Sequence, residues 1–400
     1  MKILSKHYAR NLILNPHPEV ELLLRCTRTY INNTNAERIK TLLQEDVDWE
    51  YLLEIATRHG LTSLLYWNLK ITGAEFIPQS QLSWLQNYFY INNRRNFALT
   101  KELLKLLQLF EDNKITALPF KGPILAASVY GNVALRLISD LDILVHERDF
   151  SRAVELLISQ GYQLRTEVPW EFHLIRGDGL YNIDLHREIA PKHVSCSLSF
   201  DYLWENIETF SLAGTTVPNL SPEVWLLILC LNGSKDCWQK LNRICDVAEL
   251  IRTHQGMNWE RVMEQATTLR CKRLIFLGLF LAANLLDTIL PEEIWQQVQS
   301  DSVVRSLATE VSEQLFSDTV KPVGEVEKTI FHMKVREHMQ DRVQSFLALM
   351  THSGWINPTE KDHDFLKLPT SISFLYYFLR PVRVVRKYGL NPLKYLLGFK

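Results

Sequence analysis

The stretch Ser139-Asp140-Leu141-Asp142-Ile143-Leu144-Val145 carries the pattern on which the fold reading turns. A strand alternates its side chains between two faces, so Asp140 and Asp142 project together from one face while Leu141, Ile143 and Val145 point to the other. Two carboxylates side by side on an apolar strand are costly unless something positive sits between them. The usual neutraliser is a hard divalent cation with oxygen ligands, Mg2+ above all. Further along, Tyr181-Asn182-Ile183-Asp184-Leu185-His186 repeats the alternation, with Asp184 facing away from Ile183 and Leu185. If the two strands are neighbours in one sheet, Asp184 completes a cage of three acids suited to metal-assisted phosphoryl or nucleotidyl chemistry.

On either side of the first acid pair the pattern is that of a small α/β unit. Ile115 to Phe120 is strand-like, Lys121-Gly122-Pro123 breaks it, Ile124 to Tyr130 suits a short helix, and Leu137 to Val145 reads as the strand that carries the acids. An amphipathic helix follows from Asp149, with Gly161 as its stop. Glu171 to Arg176 and Leu180 to His186, separated by Gly177-Asp178-Gly179, read as a hairpin. A second strand pair is expected at Glu208 to Leu212 and Thr215 to Pro218.

Beyond this unit the periodicity is helical in both directions. Glu19 to Asn113 repeats apolar residues at helical spacing. Ser221-Pro222-Glu223 resembles an N-cap with Pro at the first helical position, and from there to Leu349 the period stays helical. Segments expected as helices are Leu241 to Arg252, Trp259 to Leu269, Arg273 to Leu286 and Val326 to Leu349. The expected architecture is therefore α+β. A small mixed-sheet core over residues 114–220 is flanked by an N-terminal helical region, 1–113, and a helical domain, 221–350. A basic aromatic segment occupies 351–400, and from Phe374 onward it holds Arg380, Arg383, Arg386, Lys387, Lys394 and Lys400 with no acid.

Composition narrows the functional classes. With 400 residues the chain exceeds the roughly 250–300 at which single cores stop growing, so several structural units fit. A net charge of −1 argues against broad electrostatic capture of nucleic acid. The six cysteines are dispersed and form no C-x-x-C pair, which points to reduced thiols in a cytoplasmic protein rather than a zinc site or a disulfide framework. Met1 to Arg10 lacks the apolar run of a signal peptide. Leu274 to Leu286, the longest greasy stretch, falls short of the ~20 residues a membrane span needs.

The string Phe120-Lys121-Gly122, Tyr130-Gly131, Arg136, Ser139-Asp140-Leu141-Asp142 and Ile183-Asp184-Leu185-His186 resembles the uncharacterised nucleotidyltransferase family of the polymerase-beta-like superfamily. Gly233-Ser234-Lys235 with Trp238, and Cys245-Asp246-Val247-Ala248-Glu249-Leu250, resemble that family's helical part. The resemblance implies a mixed sheet bearing the acids, with a helical domain closing over a nucleotide. It also implies a small-residue turn at a helix N-terminus that holds phosphate. Lys121-Gly122 is the corresponding turn by its strand-turn-helix context, Gly131-Asn132 being the other alignment. Pro123 replaces the usual second small residue and has no N–H to donate. Asn232 and Asp236 stand where the helical motif often carries His.

Under this resemblance Asp140, Asp142 and Asp184 are the catalytic and metal-binding residues, holding two Mg2+ ions, with Asp184 as the candidate general base. Lys121, Gly122, Arg136, Ser139 and Lys235 are the nucleotide- and phosphate-binding set. His186 lies on the face of Asp184, where a contact with substrate or metal and a hydrogen-bonded structural role are both open. Asp246 either orients Lys235 or Arg243 or serves packing, and Trp225 and Trp238 are assigned to the helical core. The implied activity is transfer of a nucleoside monophosphate, AMP first, from a nucleoside triphosphate to a hydroxyl of a small molecule, peptide or protein. The alternative is a catalytically silent binding module of the same fold or a toxin–antitoxin partner. Addition of nucleotides to RNA is a third possibility, disfavoured by the charge.

Overall fold

The computed structural model describes residues 17–191, 198–317, 323–343, 345 and 369–376. The chain opens with five α-helices, α1 (Pro18–Arg25), α2 (Asn33–Leu43), α3 (Trp49–Arg58), α4 (Thr62–Thr72) and α5 (Gln79–Asp112). Side-chain caps start two of them, Asn32 accepting from the Asn35 amide and Asp48 from the Tyr51 amide. At 34 residues α5 runs about 50 Å. It buries Leu85, Phe89, Leu99, Leu103, Leu106 and Phe110 at the i, i+3, i+4 spacing, and sets Asn92 and Asn96 into the same buried face.

The sheet unit follows as β1 (Ala117–Pro119), α6 (Gly122–Tyr130), β2 (Leu141–Val145), α7 (Phe150–Ser159), β3 (Tyr162–Val168), β4 (Glu171–Arg176) and β5 (Asn182–His186). Five strands lie in the order β1-β2-β5-β4-β3. β2 and β5 run parallel and the other neighbouring pairs are antiparallel, so the sheet is mixed. The parallel pair is reached by a crossover through α7 and the β3–β4 hairpin, as a parallel neighbour requires. The apolar side chains of β2 and β5 that face away from the acids, Leu141, Ile143, Val145, Ile183 and Leu185, are inaccessible to solvent. A short helix, α8 (Phe200–Trp204), then leads to a separate antiparallel pair, β6 (Ile207–Leu212) and β7 (Thr215–Leu220).

The helices that follow are α9 (Pro222–Lys235), α10 (Leu241–Thr253), α11 (Trp259–Thr268), α12 (Lys272–Leu286), α13 (Glu292–Ser300), α14 (Ser302–Leu315) and α15 (Glu325–Val335), with further helical residues at 339–343 and a 3-10 helix at Thr370–Leu375. α9, α10 and α12 pack on one another, and α10 also packs against α6, which joins the helical part to the sheet unit. The fold is α+β, a five-stranded mixed sheet with helical flanks. No described helix is long and apolar enough to cross a membrane.

Three expectations need correction. The acid-bearing strand begins at Leu141, not Leu137, because residues 133–139 bond to α5 instead of to a ladder. Val133 to Leu135 form a 3-10 turn, and the carbonyls of Val133, Ala134, Arg136 and Ser139 accept from Asn92, Arg95 and Asn96. β3 is absent from the expected elements although Tyr162, Leu164, Thr166 and Val168 alternate with Gln163, Arg165 and Glu167; it lies at the sheet edge and is exposed from Gln163 to Glu167. The helix expected over Val326 to Leu349 is interrupted: α15 ends at Val335, Arg336 turns extended at φ −76°, ψ 134°, and helix resumes over residues 339–343. Met1 to Arg10, Cys196 and most of the basic C-terminal segment lie outside the described residues.

Candidate active site

Strand register builds the site. The parallel pairing of β2 with β5 sets Asp142 level with Asp184, and Leu144 level with His186. On the other side of β5, the antiparallel β4 sets His173 level with Asp184 and Glu171 level with His186. Because side chains alternate, these residues share one face, and they form a polar row across three adjacent strands. Asp140 joins the row from the residue just before β2.

The row is tightly coupled. His173 Nδ1 lies 2.6 Å from Asp184 Oδ1, and His186 Nε2 lies 3.2 Å from Asp142 Oδ1. The Lys121 ammonium donates to the same Asp142 oxygen at 3.1 Å. His186 is 1% exposed and Asp142 7%. Burial by itself raises the Asp142 carboxyl, yet the charges and hydrogen bonds of Lys121 and His186 outweigh it and hold the group well below the usual carboxylate range. Asp140 goes the other way. Burial first, then the charges of Asp142 and Asp184, push it up to about 6. Opposed shifts in neighbouring carboxyls are typical of working sites.

One oxygen each from Asp142 and Asp184 and one nitrogen of His186 lie within 4.8 Å of one another. Two carboxylates and an imidazole converging at that spacing fit a divalent cation. Asp140 stands close enough to Asp142 and Asp184 to feel both charges, so it belongs to the same electrostatic cluster.

The turn before α6 closes one side. Lys121 adopts φ 59°, ψ −143°, a conformation that costs a non-glycine residue about 1–3 kcal/mol. Its neighbour Gly122 has φ +45°, and a Cβ there would meet the Asp140 carbonyl oxygen at 3.4 Å. The Phe120 amide donates to the Asp142 carbonyl at 3.1 Å, tying the turn to β2. The strained backbone thus aims the Lys121 ammonium at the acids and brings the N-terminus of α6 beside Asp140.

The description "uncharacterised nucleotidyltransferase" belongs to a family whose model matches residues 45–287, more than half of the chain. The chain belongs to this family. No match was found among curated proteins or among solved structures. The nucleotidyltransferase match spans α3 to α12 and includes every element of the polar row.

Other residues expected at the nucleotidyltransferase site are placed differently. Arg136 is fully engaged by Asp246, with Nε at 2.9 Å from Oδ1 and Nη2 at 3.0 Å from Oδ2, and Tyr130 Oη donates to Asp246 at 2.6 Å. Burial would lower the Arg136 guanidinium, and the Asp246 charge and hydrogen bonds more than reverse it. A buried arginine needs a carboxylate partner, and Asp246 on α10 supplies it. Asp246 therefore serves neither Lys235 nor Arg243, which pairs with Asp236 at 3.0 Å. Lys235 closes α9 and makes no ion pair among the described residues. Ser139 touches Asp140 through its side chain, while its carbonyl accepts from Arg95 at 3.1 Å.

The glycine of the helical motif has a packing role. A Cβ on Gly233 would stand 2.4 Å from the Trp238 ring, so only glycine lets that buried ring lie against α9. Trp225 and Trp238 are both core residues, as expected. Glu171 and His173 were missed in the sequence. Their signal was present: the alternation of Glu171-Phe172-His173-Leu174, paired through the tight hairpin, puts both on the face of Asp184.

Proposed function

We propose that the chain transfers a nucleoside monophosphate, AMP first, from a nucleoside triphosphate to a hydroxyl of a small molecule, peptide or protein, with a divalent cation held at the polar row. The observation that carries this reading is the level register of Asp142 and Asp184 on parallel strands, with Asp140 beside them, in a chain of the nucleotidyltransferase family. Asp140, Asp142 and Asp184 would hold the metal, Mg2+ by the sequence expectation. When bound, it supplies charge neutralisation at the phosphates and a lowered pKa for the acceptor hydroxyl.

The chain's own groups complete the chemistry. Asp184 accepts the proton of the attacking hydroxyl, and His173, bonded to its Oδ1, fixes which carboxylate oxygen faces the acceptor. Lys121, whose ammonium lies 3.1 Å from Asp142 Oδ1, would neutralise the phosphates, and the start of α6 at Gly122 lies beside the Asp140 carbonyl. Arg136 acts as a positioning residue: anchored on Asp246, it holds the segment that delivers Asp140.

Nucleotide binding tests the reading. Calorimetric titration with ATP is expected to show binding in Mg2+ that is lost in EDTA and lost on Asp142→Ala. Binding that survives both would instead mark a silent module of the same fold.

A further inference from the structure

We infer that the His186 imidazole, backed by the Glu171 carboxylate, joins the acids as a metal donor, and that the site therefore takes Mn2+ in preference to Mg2+. The inference rests on the nucleotidyltransferase reading and concerns only the nature of its metal site. Carboxylates alone suit Mg2+, a hard ion that demands oxygen donors, whereas an imidazole among the ligands shifts preference toward first-row transition ions. Mn2+ accepts both donor types.

Two observations point to His186 as a ligand and not simply a core histidine. One of its nitrogens is among the three donor atoms within 4.8 Å of one another, Nε2 stands 3.2 Å from Asp142 Oδ1, and its side chain is 1% exposed. Its other nitrogen, Nδ1, is buried 3.2 Å from Glu171 Oε2 yet lacks the alignment of a hydrogen bond. A ligating histidine normally gives its second N–H to a carboxylate, which fixes the tautomer and raises the donor strength of the coordinating nitrogen. Glu171 stands where that carboxylate is needed, held level with His186 by the β4–β5 register. The pairing of His173 with Asp184 is the matching arrangement for a ligating carboxylate. Phe120 packs edge-on against the His186 ring, with centroids 4.8 Å apart, and restricts its rotation.

The test is metal binding by the full chain, with and without a non-hydrolysable nucleoside triphosphate analogue, read by loss of the free Mn2+ paramagnetic resonance signal and by Mg2+ competition. The expected result is Mn2+ bound on the order of tenfold or more tighter than Mg2+. Glu171→Gln should weaken Mn2+ by about tenfold or more, and His186→Gln should erase the preference while Mg2+ still binds. Equal affinities for the two ions, or a preference unchanged in both variants, would overturn the inference and leave the nucleotidyltransferase reading standing if Asp142→Ala still abolishes binding. Failure of the wild-type chain to bind either ion, even with the nucleotide analogue, would overturn both.

Discussion

Replacing Asp140 by Asn should stabilise the metal-free protein while destroying its metal site. The Asp140 carboxyl sits at about 6 in the folded chain against 3.8 for the free group, raised by burial and by the Asp142 and Asp184 charges. A carboxyl whose folded pKa is raised binds protons more readily in the native state than in the unfolded state between those two values. Its ionised form therefore costs stability progressively as pH rises through that window, and the full cost is present above about pH 6. The difference of just over two pH units corresponds to about 3 kcal/mol at pH 7.5, falling to about 1 kcal/mol at pH 4.5. Asn keeps the size and removes the charge, so Asp140→Asn should recover most of that amount at pH 7.5 and little at pH 4.5. Urea denaturation in EDTA at the two pH values reads the difference. A destabilising substitution, or a gain independent of pH, would refute the claim that Asp140 is an unfavourably buried member of the cluster.

Other perturbations probe the framework around the acids. Asp246→Ala leaves the buried Arg136 guanidinium and the Tyr130 hydroxyl unpaired and should cost about 3–5 kcal/mol in urea denaturation. Adding Arg136→Met should restore much of that loss. Asn96→Ala removes the amide that serves the Val133 and Arg136 carbonyls, and should cost about 1–3 kcal/mol with a lower affinity for nucleotide by calorimetry. Gly122→Ala should cost about 1–2 kcal/mol in urea denaturation, since φ +45° is strained for any side chain.

The acids were legible because period-2 alternation on an apolar strand is a local signal. Asp142 and Asp184 could each be read from their neighbours alone, and the family string joined them. The start of β2 was not legible, since the competing partners of residues 133–139 are asparagines and an arginine on α5, some 40 residues earlier, and no local pattern announces them. Arg136 shows the same limit. Its nearness in sequence to the acid pair suggested phosphate, but its partner Asp246 lies 110 residues away and is brought in by the packing of α10 on α6. β3 carries a period-2 alternation of Tyr162, Leu164, Thr166 and Val168 and was legible by the same rule that found β2, though a register irregularity between Leu164 and Thr166 interrupts its pairing with β4. Glu171 and His173 were readable from the expected hairpin itself, whose antiparallel register sets them level with His186 and Asp184.

The central claim is transfer, and label transfer tests it most directly. The full chain would be incubated with Mg2+ or Mn2+ and each nucleoside triphosphate labelled in its α-phosphate, with and without cell extract. Label is expected to join an acceptor, with ATP the best donor, and to be lost in Asp142→Asn and Asp184→Asn. Nucleotide bound but never transferred under any of these conditions, or transfer undiminished in both variants, would contradict it.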